Sequence, residues 1–415
     1  MTAVGGATRP TEPGAVAWLR KNLFSTWLDT VLTVVFGALA VYVGFRFLRF
    51  VFVNARWEII EVNLKLLLIG RWPAAHLLRI AVAVSALALW GGIIGGLIAA
   101  RQERRGTSSI AEMGGMERAS DLGRRFGLMI ATILLLLALT DGGGPWLFAV
   151  AAVAAGWAGR LAGGRLGRLA FPAWASRLGL LLVAATPIAL YLYLVDAVPL
   201  AEWEGFFFNI TAAAAGIVLS FPLGVMLALG RRSKLRLVQW MSITYIEFVR
   251  GSPLYVLLLL ANVSLEFFVP ASLAPSKVIR AVVTFTLFTA AYLAEIVRGG
   301  LQSVPRGQEE AAKSLGLTPF KQTGLIVLPQ ALRNVIPAQI GQFISLFKDT
   351  TLAGLALGIL DMLQGAQAIT KQEAFRGQGL IIETLVFVGF MFWVGSFTMS
   401  RESQRLERKL GVGTR

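Results

Sequence analysis

The sequence predicts an all-α membrane protein, a polytopic bundle of transmembrane helices, on three observations. Of 415 residues, 56% are hydrophobic and only 15% charged, and mean hydropathy is +0.69; a soluble domain needs a more polar surface to face water. Apolar runs of about 20 residues, enough to cross a hydrocarbon core as a helix, recur from end to end. The net charge of +16 is confined to short clusters between those runs: Arg101 to Arg105, Arg124 and Arg125, Arg160 to Arg168, Arg231 to Arg236, and Arg401 to Lys409. This is how cytoplasmic loops look under the positive-inside rule, beside anionic membrane lipids. No basic face is combined with a recognition fold, so nucleic acid is not an expected partner.

Spans are expected near 27–45, 77–100, 126–141, 145–159, 178–198, 206–229, 253–269, 279–297, 336–358 and 380–399. The first, with Arg20 and Lys21 before it, is long for a signal-peptide core and reads as an uncleaved span. The pair at 126–141 and 145–159 is short, joined by Gly142-Gly143-Gly144-Pro145; it reads as a helical hairpin or a partly re-entrant one. Placing the arginine-rich loops in the cytoplasm puts both termini there. Residues 46–79 resist the scheme, being external yet carrying Arg46, Arg49, Arg56, Lys65, Arg71 and Arg79. Either an amphipathic segment such as Ile59 to Ile69 lies at the interface, or the first span is misplaced.

Character changes near residue 200. Residues 1–200 form an N-terminal membrane extension of about five spans, simple and rich in Ala, Leu and Gly. Residues 201–405 form a working core with polar groups at membrane depth, followed by a tail over 406–415. There are no cysteines, which excludes disulfides and thiolate metal sites. The single histidine, His76, reads as an interface residue, and neither a metal nor a cofactor is implied. No catalytic constellation appears: no H-E-x-x-H, no nucleophile elbow, no histidine near a serine.

The core contains a long loop, 298–335, with helix punctuation. A first helix over about 305–315 ends at Gly316; Thr318 and Pro319 start a second as N-cap and first helical residue; Pro329 then interrupts or kinks it. Ala311 and Ala312 permit close approach by another protein, and Glu310, beside Glu309, sits where the helix dipole favours a carboxylate. An amphipathic connector lying on the membrane is the plainer reading.

Glu310-Ala311-Ala312, three residues to Gly316, then nine to Ile326-Val327-Leu328-Pro329 resembles the EAA motif of membrane subunits of ABC importers. That resemblance implies coupling helices, at Glu309 to Gly316 and Ile326 to Pro329, seated on a separate ATPase subunit, and type I importer architecture. The words from Glu247 to Leu254, from Tyr292 to Leu301 and from Phe343 to Leu352 are similar to polar amino-acid permeases of the histidine/glutamine type. The resemblance covers about 205–405. The long N-terminal portion, the stretch at 230–235 and the C-terminal ending resemble the M-type permease of general L-amino-acid importers. Ser252 departs from the Val or Thr common there. A periplasmic amino-acid-binding protein and a second, related permease are implied as partners. No phosphate-binding G-x4-G-K-[ST] loop occurs, so ATP hydrolysis is expected elsewhere.

Charges at membrane depth are expensive and are functional candidates. Glu247 and Arg250, one helical turn apart, can pair on one face, which favours a structural or gating role, and Ser252-Pro253 would break or kink the helix beyond them. Gln339, Gln342, Ser345 and Asp349 form a polar stripe with Lys348 beside it, which suits either a pathway for a zwitterionic amino acid or hydrogen bonding between helices. An ion-coupled secondary transporter using Asp349 or Glu247, and a membrane scaffold, are the competing functions. The substrate is not named by the sequence.

Overall fold

In lipid, backbone N–H and C=O groups must be satisfied within the chain, and a helix does this locally. The computed structural model describes residues 15–104, 115–140, 144–169, 173–270 and 273–410, and their regular elements are helical apart from one isolated bridge, between Gly205 and Asp361. The chain divides into two compact units, Met1–Trp57 and Glu58–Arg415.

The first unit holds α1 (Ala15–Leu23) and α2 (Trp27–Arg49), with a π turn over Phe50–Asn54 extending α2. A capping box starts α2: Thr26 Oγ1 accepts from the Asp29 N–H at 3.1 Å while Asp29 Oδ2 accepts from the Thr26 N–H at 3.2 Å. These bonds satisfy donors that a helix start leaves orphaned.

The second unit begins with α3 (Glu58–Ile69), α4 (Leu77–Arg104), α5 (Gly115–Ala138), α6 (Gly144–Gly167) and α7 (Ala173–Ala197). Helices α4 and α6 meet backbone to backbone: a Cβ on Gly92, Gly96, Gly159 or Gly163 would be driven into a carbonyl oxygen of the facing helix. Small residues allow this approach, and dispersion across the close contact supplies what the hydrophobic effect does not supply between helices in lipid.

The core follows as α8 (Gly205–Arg231), α9 (Arg236–Gly251), α10 (Leu254–Val263), α11 (Leu265–Phe268) and α12 (Lys277–Ser303). Next come α13 (Arg306–Ser314), α14 (Pro319–Gln322), α15 (Leu328–Asp349), α16 (Leu352–Leu357), α17 (Met362–Ile369) and α18 (Ile381–Leu410). Central α12 packs on α8, α9, α10 and α15. Its Phe285 is fully buried, and a Cβ on Gly216 of α8 would touch both Phe285 and Leu346 of α15.

Among the described residues six helices are long and apolar enough to cross a membrane: Trp27–Asn54, Ala74–Arg101, Pro145–Gly167, Gly205–Arg231, Lys277–Ser303 and Ile381–Arg408. Shorter apolar helices cover Phe126–Ala138 and Leu181–Ala197; the hairpin glycines at 142 and 143 lie outside the described residues. Two expected spans differ. The segment 253–269 is not one helix: α10 stops at Val263 and the four-residue α11 follows, while ahead of it α9 and α10 bend by 102° where Ser252 is extended and Pro253 caps α10, because proline has no N–H and disfavours helix before it. The segment 336–358 is the second half of α15, which stops at Asp349, and then a turn into short α16.

Segment 59–69 is the helix α3, yet its apolar face does not lie on a membrane surface. Ile59, Ile60, Leu64 and Leu67 are buried, and α3 packs on α8, α17 and α18. Asn63 Oδ1 accepts from Gln372 Nε2 at 2.8 Å. Arg71 binds the buried Glu204 carboxylate in a bidentate ion pair, Nε lying 3.1 and 3.0 Å from its two oxygens, which holds the Arg71 guanidinium above its usual pKa. Gly70 (φ +63°) and Gly205 (φ +61°) sit back to back beside that pair, where a side chain would meet strain and a clash.

Gly163→Leu should force α4 and α6 apart and cost about 3 kcal/mol by overpacking. Gly164→Leu, one position on and facing open space, should cost far less. Thermal unfolding in detergent compares them, and equal losses would refute backbone contact as the basis of this pairing.

Candidate coupling and translocation site

The loop after α12 turns at Val304 and Pro305 into α13. Leu317 N–H donates to the Ala312 carbonyl at 3.2 Å and Gly316 N–H to the Lys313 carbonyl at 2.9 Å. That pair of bonds is the Schellman closure, and it requires the left-handed residue that Gly316 provides at φ +73°. Thr318 then caps α14, accepting from the Lys321 N–H at 3.5 Å, with Pro319 at its first position. The elbow expected at Gly316 is therefore present.

Pro329 does not interrupt the second helix. The backbone stays helical from Pro319 to Asp349, with a π turn at Thr323–Val327 in which the Leu328 N–H reaches the Thr323 carbonyl. The wider turn lies directly ahead of Leu328 and Pro329, where α15 begins.

Ala312 is buried, whereas Glu310 and Ala311 face outward and Glu309 is half-buried. Val327 is buried with Ala228, Ile246, Ala294, Val297, Leu301, Val304 and Ala331, and Leu328 packs against that cluster; Ile326 is half-buried and Pro329 exposed. The sequence reading missed the most telling residues of the elbow: Leu315 is 80%, Phe320 88% and Leu325 66% exposed. They lie outside the spanning helices, where protruding apolar side chains are unusual on a surface that faces water. Their apolar type, within a segment read as a polar loop, was the available signal.

Behind the elbow lies an ionic cluster. Arg231 of α8 donates to Glu247 of α9 at 2.9 Å and to Glu295 of α12 at 3.4 Å. Arg298 Nε donates to Glu295 at 2.8 Å, and Arg250 approaches Glu295 at 3.8 Å with its guanidinium 5.6 Å from the Tyr292 ring. Arg232 pairs at 3.6 Å with Glu309 of α13. The expected Glu247–Arg250 pair is thus replaced: Glu247 pairs with Arg231 and Arg250 with Glu295, because α8 and α12 bring charges closer than the helical turn does. Apart from the Arg232–Glu309 pair, Arg231, Arg250 and Arg298 face Glu247 and Glu295, an excess of one positive charge among the described residues.

The polar stripe runs along α15. Gln339 is buried and its Nε2 has no hydrogen-bond partner; Gln342 is half-buried; Ser345 Oγ donates to Asp349 at 3.4 Å; Lys348 is exposed. Thr286 and Thr289 of α12 are also buried with unpartnered hydroxyls. The stripe is therefore one helix surface that passes from packed interior to accessible face.

At the other end of the core, Asn209 donates to Thr350 at 3.1 Å and to Asp361 at 3.3 Å. Its Oδ1 accepts from the Met362 N–H at 3.1 Å. Asp361, in the turn between α16 and α17 and outside the spanning helices, accepts from the Gln364 N–H at 2.8 Å as the N-cap of α17. Burial pushes its carboxyl up to about 6.

Residues 220–412 match the family described as binding-protein-dependent transport system inner membrane component. The chain is 35% identical, over 97% of its own length and 96% of the relative's, to the glutamate/glutamine/aspartate/asparagine transport system permease protein BztC of Rhodobacter capsulatus. It is 41% identical to the inner membrane amino-acid ABC transporter permease protein YhdY of Escherichia coli, over 53% of this chain and 59% of that one. A crystal structure of an amino acid ABC transporter with histidines aligns at 28% identity and a TM-score of 0.45, covering 52% of this chain and 97% of its own.

A carboxyl whose folded pKa is raised favours the folded state below the unfolded value and loses that contribution as pH rises through the folded one. Stability should therefore fall between about pH 4 and 6 by an amount that Asp361→Asn removes. Melting curves of the two proteins across that range test this, and parallel profiles would overturn it.

Proposed function

The chain belongs to the family of binding-protein-dependent transport system inner membrane components, and on that footing we propose how its residues couple transport to a partner. It is a permease subunit of an amino-acid ABC importer, a multi-pass membrane protein, and not an ion-coupled secondary transporter.

The reading of the coupling site rests on one observation: an elbow closed by Gly316 presents Leu315 and Phe320 to solvent while Ala312 and Val327 anchor it from beneath. Glu309, Glu310, Ala311 and Gly316, with Ile326 and Pro329, form the seat for a separate ATPase subunit, and Ala312 and Leu328 hold it from beneath. Arg232–Glu309 passes its displacement to α8, and Arg231 relays it through Glu295 to α9 and α12. The coupling loop and the C-terminus face the cytoplasm, following the arginine-rich loops. A periplasmic binding protein delivers the amino acid to the opposite face, and a second, related permease completes the pathway.

Gln339, Gln342, Ser345, Lys348 and Asp349 line that pathway, with Glu247 and Arg250 at its inner mouth. Unpartnered polar groups on α12 and α15 favour this reading, since buried donors left unpaired cost about 1–3 kcal/mol each. The positive excess at Arg231, Arg250 and Arg298 suits a cargo that carries a carboxylate. The relative from R. capsulatus is named for glutamate, glutamine, aspartate and asparagine, and acidic amino acids and their amides are the cargo class we propose here.

Gly316→Pro or Glu310→Lys should abolish uptake in membranes while insertion, followed by membrane fractionation, stays normal. Arg232→Glu should lower uptake several-fold and the added Glu309→Arg should restore part of it. Normal uptake with Gly316→Pro would remove the elbow from the mechanism.

A further inference from the structure

A cavity of about 500 Å³ opens between α3, α4, the end of α5 and the start of α6, within the size range of pockets that hold small molecules. Its wall is apolar: Leu68 of α3, Ile80 and Val84 of α4, Leu139 beyond α5 and Phe148 of α6. Two charged residues stand at its rim, Glu61 and Lys65, both exposed on α3. Although they are four residues apart with the acid first, the spacing at which helical ion pairs form, neither is in an ion pair among the described residues. We infer that this cavity binds one phospholipid whose headgroup carries a phosphate and a hydrogen-bonding ammonium, with an acyl chain between the helices.

Position supports the class of ligand. The α3 helix packs at the Gly205 end of α8, whereas the elbow meets the other end through Arg232. Those ends lie roughly 40 Å apart, from 27 residues at 1.5 Å each, so α3 lies at the membrane face remote from the elbow. The wall is the first turns of α4 and α6, which start there, so a headgroup at Glu61 and Lys65 puts its acyl chain into the hydrocarbon layer.

Charge supports the headgroup. Lys65 offers an ammonium to a phosphate, and Glu61 offers a carboxylate to an ammonium. One helical turn separates them, on the scale of the two-carbon spacer in an aminoethyl phosphate. A headgroup with phosphate alone leaves Glu61 facing it, a like-charge contact. A quaternary ammonium has no N–H for Glu61. The neighbouring crevice between α5 and α6 makes the contrast: its volume is about 530 Å³, but among the described residues it is lined by Ile130, Leu134, Trp146, Val153 and other apolar side chains, with no charged group. Acyl chains fill such a crevice without selecting a headgroup.

The test uses the full chain reconstituted in bilayers of equal parts phosphatidylethanolamine, phosphatidylglycerol and phosphatidylcholine, then re-extracted in mild detergent, with retained phospholipid counted by mass spectrometry. About one phosphatidylethanolamine per chain should be retained in preference to the others. Glu61→Gln and Lys65→Gln, at exposed positions that leave folding intact, should each lower that retention about fivefold, the scale of one exposed ion pair. Leu68→Trp, which fills the cavity, should abolish it. Equal retention of all three lipids, or wild-type retention in both charge variants, would show a crevice without headgroup choice and overturn the assignment.

Discussion

Peptide groups have no water to turn to inside a bilayer, and this one restriction decides where the chain bends. At three places where the described core departs from continuous helix, the freed groups are met by something nearby. At the α9–α10 bend Ser252 Oγ donates to the Phe248 carbonyl at 2.8 Å, and Pro253 brings no N–H that needs a partner. Ahead of Pro329 a π turn keeps the backbone bonded. In the turn between α16 and α17 the Leu360 carbonyl accepts from the Gly205 N–H at 2.7 Å, and the side chains of Asn209 and Asp361 satisfy the N–H groups of Met362 and Gln364. Irregular backbone survives in a membrane protein where it is enclosed in this way.

Electrostatics and packing divide the labour between the two ends of α8. At the elbow end the ion pairs are partly exposed and individually modest, so they suit the exchange of partners that the proposed coupling requires. At the opposite end the contacts are buried and hydrogen-bonded, with Glu204, Asn209 and Asp361 almost wholly enclosed. Such networks are costly to break and hold a single geometry.

Much of this was legible in the residues. The helix-ending Gly316, the Thr318-Pro319 start and the break at Ser252-Pro253 are local effects, and local sequence reports them. The partners of Glu247 and Arg250 were not legible, because helical spacing shows which charges share a face but not that α8 brings Arg231 closer. The segment 253–269 looked like a span since apolar content measures burial in lipid without measuring straightness. The burial of α3 was hidden for a related reason: an amphipathic stripe reads alike whether its apolar face meets lipid or protein.

The placement of α3 bears on inheritance. Residues that lie some 140 positions before the core helices supply part of the core's own packing, through Asn63 on Gln372, Arg71 on Glu204, and Leu67 beside Gly365. Residues 58–71 are therefore not detachable from the core helices. Lineages that carry this segment should vary the faces of α3 and α17 in concert, and a chimera that joins a foreign extension to this core near residue 200 would lose that match even with every span intact.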